Sequence, residues 1–121
     1  MNRTAVIRVE RGRDAALSDL RARFLMAWKT GNYQGEVFVF ESPKALFQVL
    51  TPERWELIEC LHGVGALDAA ALAAALRREG QYVDADCQAL LEAGLIERDG
   101  VGRWCVPFAE IRADFALRGA A

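Results

Sequence analysis

Three observations predict an α+β fold. Apolar residues recur at helical spacing in several stretches, short β-branched or alternating runs lie between them, and a glycine-rich loop joins two such runs. The chain has 121 residues, 53% of them apolar and 26% charged, a globular composition rather than a disordered one. A chain of this size buries roughly two-thirds of its unfolded surface, so folding calls for neither a metal nor a disulfide.

Taken in order, Ala5-Val6-Ile7-Arg8-Val9-Glu10 is short and β-branched and predicts a strand. A helix over residues 14–29 follows, with Leu17, Leu20, Phe24 and Trp28 as its apolar stripe, Leu25 beside them and Gly31-Asn32 as its stop. Residues 36–41 form a second strand, with Val37 and Val39 on one face and Phe38 and Phe40 on the other. Such a strand calls for cover on both sides. Ser42-Pro43 and Thr51-Pro52 are two cap-plus-proline signals, each opening a helix. The second of these helices carries Trp55, Leu57, Ile58 and Leu61 and stops at Gly63. Asp68 caps a helix over 69–78 with Leu72 and Leu76 inward, Glu79-Gly80 breaks it, and a helix over 81–93 turns Val83, Cys87, Leu90 and Leu91 inward before Gly94. Residues 95–106 read as a hairpin around Asp99-Gly100-Val101-Gly102, and the alternation of Ile111, Ala113, Phe115 and Leu117 predicts a final strand.

From residue 52 to 107 the order is helix, helix, tight turn, helix, hairpin. That order predicts a winged helix-turn-helix in which Trp55, Ile58, Leu61, Leu72, Leu76, Val83, Leu90 and Leu91 share one core. The third helix is then presented to a DNA major groove with the hairpin beside it as the wing. The full expectation is a winged helix-turn-helix with an N-terminal strand-helix-strand extension and a C-terminal strand. Residues 1–50 form a dimerisation or extension segment and 51–121 the winged domain. The Leu17, Leu20, Phe24 and Trp28 stripe has two readings, cover for the core or a two-fold dimer interface, and the second is preferred. Trp28 and Trp104 are large enough to anchor such an interface.

Several phrases carry a resemblance: Phe40-Glu41-Ser42-Pro43-Lys44-Ala45-Leu46, Val49-Leu50-Thr51-Pro52-Glu53-Arg54, Ala89-Leu90-Leu91-Glu92-Ala93-Gly94-Leu95-Ile96-Glu97-Arg98 and Val106-Pro107-Phe108-Ala109-Glu110-Ile111-Arg112. On these residues the sequence resembles the small MarR-like winged-helix DNA-binding regulators of prokaryotic toxin–antitoxin-type operons. The resemblance implies a homodimeric repressor of its own operon, with a toxin as a further partner. Where that family begins its recognition helix with residues of the type Lys-Asn-Val-His-Arg-Asp-Val, this chain has Gln81-Tyr82-Val83-Asp84-Ala85-Asp86-Cys87. The usual cations are missing and Asp84 and Asp86 oppose a polyanion. The residues left for DNA are Arg77, Arg78, Gln81, Tyr82, Gln88 and the wing arginines Arg98 and Arg103. The arginines have a second reading as helix-end or surface-paired charges.

The net charge is −2, which excludes a strongly basic nucleic-acid binder of the simple electrostatic kind. The charge is unevenly spread. Residues 1–35 hold seven cations, Arg3, Arg8, Arg11, Arg13, Arg21, Arg23 and Lys29, against three acids, whereas residues 51–107 hold five cations against ten acids. The basic front suits either flanking DNA or the acidic half of a second chain. Phosphate-loop, GxGxxG and GxSxG motifs are absent, Cys60, Cys87 and Cys105 form no CxxC pair, and His62 is the only histidine. These absences predict no enzyme, no metal and no cofactor. No apolar run approaches membrane-spanning length and no signal-peptide core is present, so a cytoplasmic location is expected. Two functions follow from different classes: a DNA-binding regulator, or a winged-helix interaction module whose acidic face meets a basic protein such as a cognate toxin.

Overall fold

The computed structural model describes residues 3–9 and 35–115. In chain order the elements are β1 (Thr4–Val9), β2 (Gly35–Phe40), α1 (Pro43–Val49), α2 (Pro52–Val64), α3 (Ala69–Leu76), α4 (Gly80–Ala93), β3 (Glu97–Arg98), β4 (Trp104–Cys105) and β5 (Glu110–Asp114). They form two compact units, one combining the described residues up to Leu46 with those from Phe108 onward, the other Phe47–Pro107. The helix expected over 14–29, with Leu17, Leu20, Phe24 and Trp28, lies outside the described residues.

The first unit is a three-stranded sheet in the order β2-β1-β5. Both outer strands run parallel to β1, with Val6 opposite Val37 and Ala5 opposite Ile111. Ala5 and Ile7 point to one face and are buried, as are Leu46 and Phe108. Gly35 lies so close to β1 that a Cβ there would stand 2.9 Å from Thr4 Oγ1. Phe38 meets Phe108 edge to face with centroids 6.1 Å apart, and the Arg3 guanidinium lies over the Phe108 ring, 5.2 Å from its centroid, while bonding Glu36. The final strand, grouped by sequence with the winged domain, thus joins the N-terminal unit. It ends at Asp114, before Phe115, and Leu117 lies outside the described residues. Alternation announces a strand without naming its neighbour, and the neighbour here is about a hundred residues upstream.

The second unit is a winged helix-turn-helix. Ser42 Oγ accepts from Ala45 N–H at the start of α1, the Thr51 hydroxyl from Arg54 N–H at the start of α2, and Asp68 Oδ1 from Ala71 N–H at the start of α3. Each such cap contributes about 1 kcal/mol. Helix α2 runs one residue past the expected stop and turns at Gly65, whose φ of 106° suits glycine. Helix α3 is two residues shorter than expected. It ends at Leu76, and Arg77 adopts the left-handed region with φ 55°. Arg77 N–H bonds Ala74 O and Arg78 N–H bonds Ala73 O, both at 3.2 Å. This is the same six-residue helix stop that Gly94 makes at the end of α4. An alanine-rich run ending in arginines has no residue that announces a stop, so the sequence reads on as helix.

The core of this unit comprises Leu57, Ile58, Leu61, Leu72, Val83, Cys87, Leu90, Leu95, Ile96 and Trp104. Burial of each large side chain contributes about 1.5–3 kcal/mol. Trp55, Leu76 and Leu91, expected in this core, are half-buried. Trp104, expected as an interface anchor, is instead 1% exposed and central to the unit. The wing strands pair Glu97 with Cys105 and Arg98 with Trp104. Leu67 exchanges two backbone hydrogen bonds with Trp104, at 3.0 and 2.8 Å. That bridge ties the base of the wing to the chain entering α3.

Candidate nucleic-acid interface

Helix α4 is amphipathic. Val83, Cys87 and Leu90, at i, i+4 and i+7, face the core, and Gln81, Tyr82, Asp84, Ala85 and Gln88 are exposed. Tyr82 is 59% exposed at the start of the helix, a costly place for an aromatic ring unless something stacks on it. The Gln81 side-chain amide donates to Glu79 Oε2 at 3.2 Å. The N-cap, Glu79, makes no side-chain bond to a backbone N–H of α4, so the first N–H groups of the helix are uncapped by it.

The expected site arginines divide into two sets. Arg78 Nη2 donates to Asp86 Oδ2 at 2.8 Å, and Arg103 Nε donates to Asp99 Oδ2 at 2.7 Å. Both therefore belong to ion pairs within the unit. Arg77 and Arg98 have no carboxylate partner among the described residues. Arg77 stands exposed at the left-handed turn between α3 and α4. The Arg98 guanidinium lies over the Trp104 ring, its Cζ 3.9 Å from the centroid, and donates to Gly102 O at 3.2 Å. The stacked guanidinium keeps its charge at the surface while its pose is fixed by an aromatic ring in the core.

Asp99 organises the wing turn. Its Oδ1 accepts from the Val101 and Arg103 N–H groups at 3.0 and 2.8 Å. The Arg103 backbone N–H, more than the Arg103 guanidinium, holds its carboxyl below the usual carboxylate range. Val101 at the tip is 77% exposed.

One functional group was missed as such from the sequence. Arg54 Nε donates to Asp86 Oδ1 at 3.0 Å, so Asp86 is shared by Arg54 and Arg78. Arg54 Nη1 also donates to Val49 O at 3.0 Å. Asp86, expected to oppose DNA as a bare charge, is neutralised twice over. Residues 54 and 86 are 32 positions apart, and no local pattern links them. Among the described residues no group of three or more His, Cys, Asp or Glu is placed to hold a metal ion, and no helix is long and apolar enough to cross a membrane.

The chain has similarity to known proteins over much of its length. A solution NMR structure of the homodimeric winged helix-turn-helix DNA-binding domain (fragment 1–100) of Mb0332 from Mycobacterium bovis, a possible ArsR-family transcriptional regulator, is 23% identical with a TM-score of 0.44. The similarity covers 80% of this chain and 72% of that one. A search of curated proteins finds no match. The model of the HVO_A0114 family matches residues 49–113, more than half of the 121, a span that takes in the helices α2 to α4, the wing and most of β5; the chain belongs to the HVO_A0114 family.

Proposed function

We propose that the chain is a cytoplasmic, homodimeric DNA-binding transcriptional regulator, an antitoxin-type repressor of its own operon. The observation that carries this reading is α4: one face is fixed in the core by Val83, Cys87 and Leu90, and the other presents Gln81, Tyr82 and Gln88 outward with the wing in the same unit. A rigid helix with an exposed polar face is what major-groove readout requires. Arg98 and Arg103 on the wing, with Arg77 and Arg78 at the helix turn, are the proposed phosphate and minor-groove contacts. Leu17, Leu20, Phe24 and Trp28 supply the proposed two-fold interface. The resemblance to MarR-like regulators of toxin–antitoxin-type operons supports the operon role.

A second reading has its own support. Residues 51–107 hold five cations and ten acids, and Arg54, Arg78 and Arg103 are already paired with Asp86 and Asp99. An acidic winged helix suits a basic protein partner such as a cognate toxin. An electrophoretic shift of the duplex upstream of the gene separates the two. The DNA reading expects micromolar protein to shift that duplex, and expects the double substitution Tyr82→Ala with Gln88→Ala to lose the shift with unchanged circular dichroism. Absence of any shift by the wild type favours the protein partner.

A further inference from the structure

The geometry points to Asp86 as the positioning residue of α4: by holding Arg54 of α2 and Arg78 of the α3–α4 turn together, its carboxylate sets the pose in which the exposed face of α4 is presented. As far as it concerns DNA, this inference rests on the DNA reading above.

Three segments meet at one carboxylate. Oδ1 takes Arg54 Nε at 3.0 Å and Oδ2 takes Arg78 Nη2 at 2.8 Å, so both oxygens are engaged by cations from different segments. The Asp86 side chain is 15% exposed and the two arginine side chains 22% and 24%. Partial exclusion of water strengthens each of these charge-assisted bonds relative to a surface pair. Arg54 extends the arrangement through its bond to Val49 O, at the end of α1. Arg78 depends on Asp86 most, because its Nη1 is enclosed and has no hydrogen-bond partner among the described residues. Loss of the carboxylate leaves two partly enclosed guanidinium groups without their counter-charge. The turn that carries Arg78 is also the one where Arg77 adopts left-handed backbone, so its geometry rests on contacts beyond local preference.

The inference gives Asp86 a sign opposite to that of its charge. Asp84 lies two residues earlier on α4, exposed and without an ion-pair partner among the described residues. Charge alone predicts that removing either acid tightens binding to a polyanion. Positioning predicts opposite outcomes for the two. Asp84→Asn is expected to tighten binding to the upstream duplex about threefold, the effect of one charge at roughly 7 Å in water. Asp86→Asn is expected to weaken it at least about tenfold, because both guanidinium groups lose the counter-charge that holds them. Asp86→Glu keeps the charge and recovers most of the loss.

Amide hydrogen exchange of Tyr82 and Val83, both bonded to Glu79 O, supplies a readout independent of DNA. Exchange at these amides is expected to accelerate in Asp86→Asn while that at the core of α2 does not. Arg78→Gln leaves the Arg54–Asp86 pair in place and serves if Asp86→Asn does not fold. It is expected to accelerate the same two amides, and unchanged exchange there overturns the inference. Tighter DNA binding by folded Asp86→Asn, matching Asp84→Asn, also overturns it. If the wild type binds no duplex, the DNA reading fails and the exchange measurement alone decides the role of Asp86.

Discussion

Cys87 carries a thiol whose ionisation is suppressed by its surroundings. Burial in the core of the winged unit, reinforced by Asp84 and Asp86 nearby, pushes it from 9.0 up to about 12. The neutral thiol is the form that fits, so its contribution to stability is complete below about 9, the value in the unfolded chain, and is lost as pH rises through about 12. At pH 8 Cys87 should resist alkylation in the native protein and react after denaturation, with peptide mass spectrometry locating the label. Equal labelling rates in the two states would contradict this placement. Residue identities were readable from sequence to different depths. That Val83, Cys87 and Leu90 face inward follows from helical spacing alone, and burial agrees. That Arg78 and Arg103 are held by Asp86 and Asp99 does not, because surface arginines look alike in sequence until their partners are placed. Trp104 shows the same limit: its size suggests an interface, whereas its side chain is buried within the winged unit.

At the scale of elements, the turn between α3 and α4 joins the two helices through a residue that is not glycine in left-handed backbone. Arg77 occupies left-handed backbone with φ 55°, where a Cβ is unfavourable by about 1 kcal/mol and glycine is the usual residue. Arg77→Gly should therefore raise stability by about 0.5 kcal/mol, part of the relief being offset by the greater freedom of glycine in the unfolded chain. Thermal unfolding checks this, and a lowered midpoint would show that the arginine side chain holds the turn. The same variant should bind DNA more weakly if Arg77 is a phosphate contact, so stability and affinity would move apart. Caps and glycines made most boundaries legible. Ser42, Thr51 and Asp68 open helices as their residue types suggest, and Gly94 closes α4. The arginine-capped end of α3 misled because it is set without a marker, by hydrogen bonds between residues of unremarkable type.

At the scale of the molecule, the distribution of charge limits the proposed binding to DNA. Of the five cations in residues 51–107, Arg54, Arg78 and Arg103 are bound to carboxylates. Arg77 and Arg98 remain unpaired by carboxylates among the described residues, and the Arg98 guanidinium is fixed by Trp104. The winged helix-turn-helix was legible because its elements are local and arrive in order. The sheet was less so: its three strands come from positions 4–9, 35–40 and 110–114, and only long-range pairing shows that the chain's two ends build one unit. The central claim, that this acidic winged helix binds duplex DNA through a small set of cations, is tested most directly by fluorescence anisotropy of the upstream duplex across a salt series. Each phosphate contact contributes about −0.9 to the slope of log K against log salt, so Arg77, Arg78, Arg98 and Arg103 together predict a slope of about −3.6 per protomer. Saturable binding with that shallow slope would support the account, and no binding at micromolar protein in about 50 mM salt, or binding with no salt dependence, would contradict it.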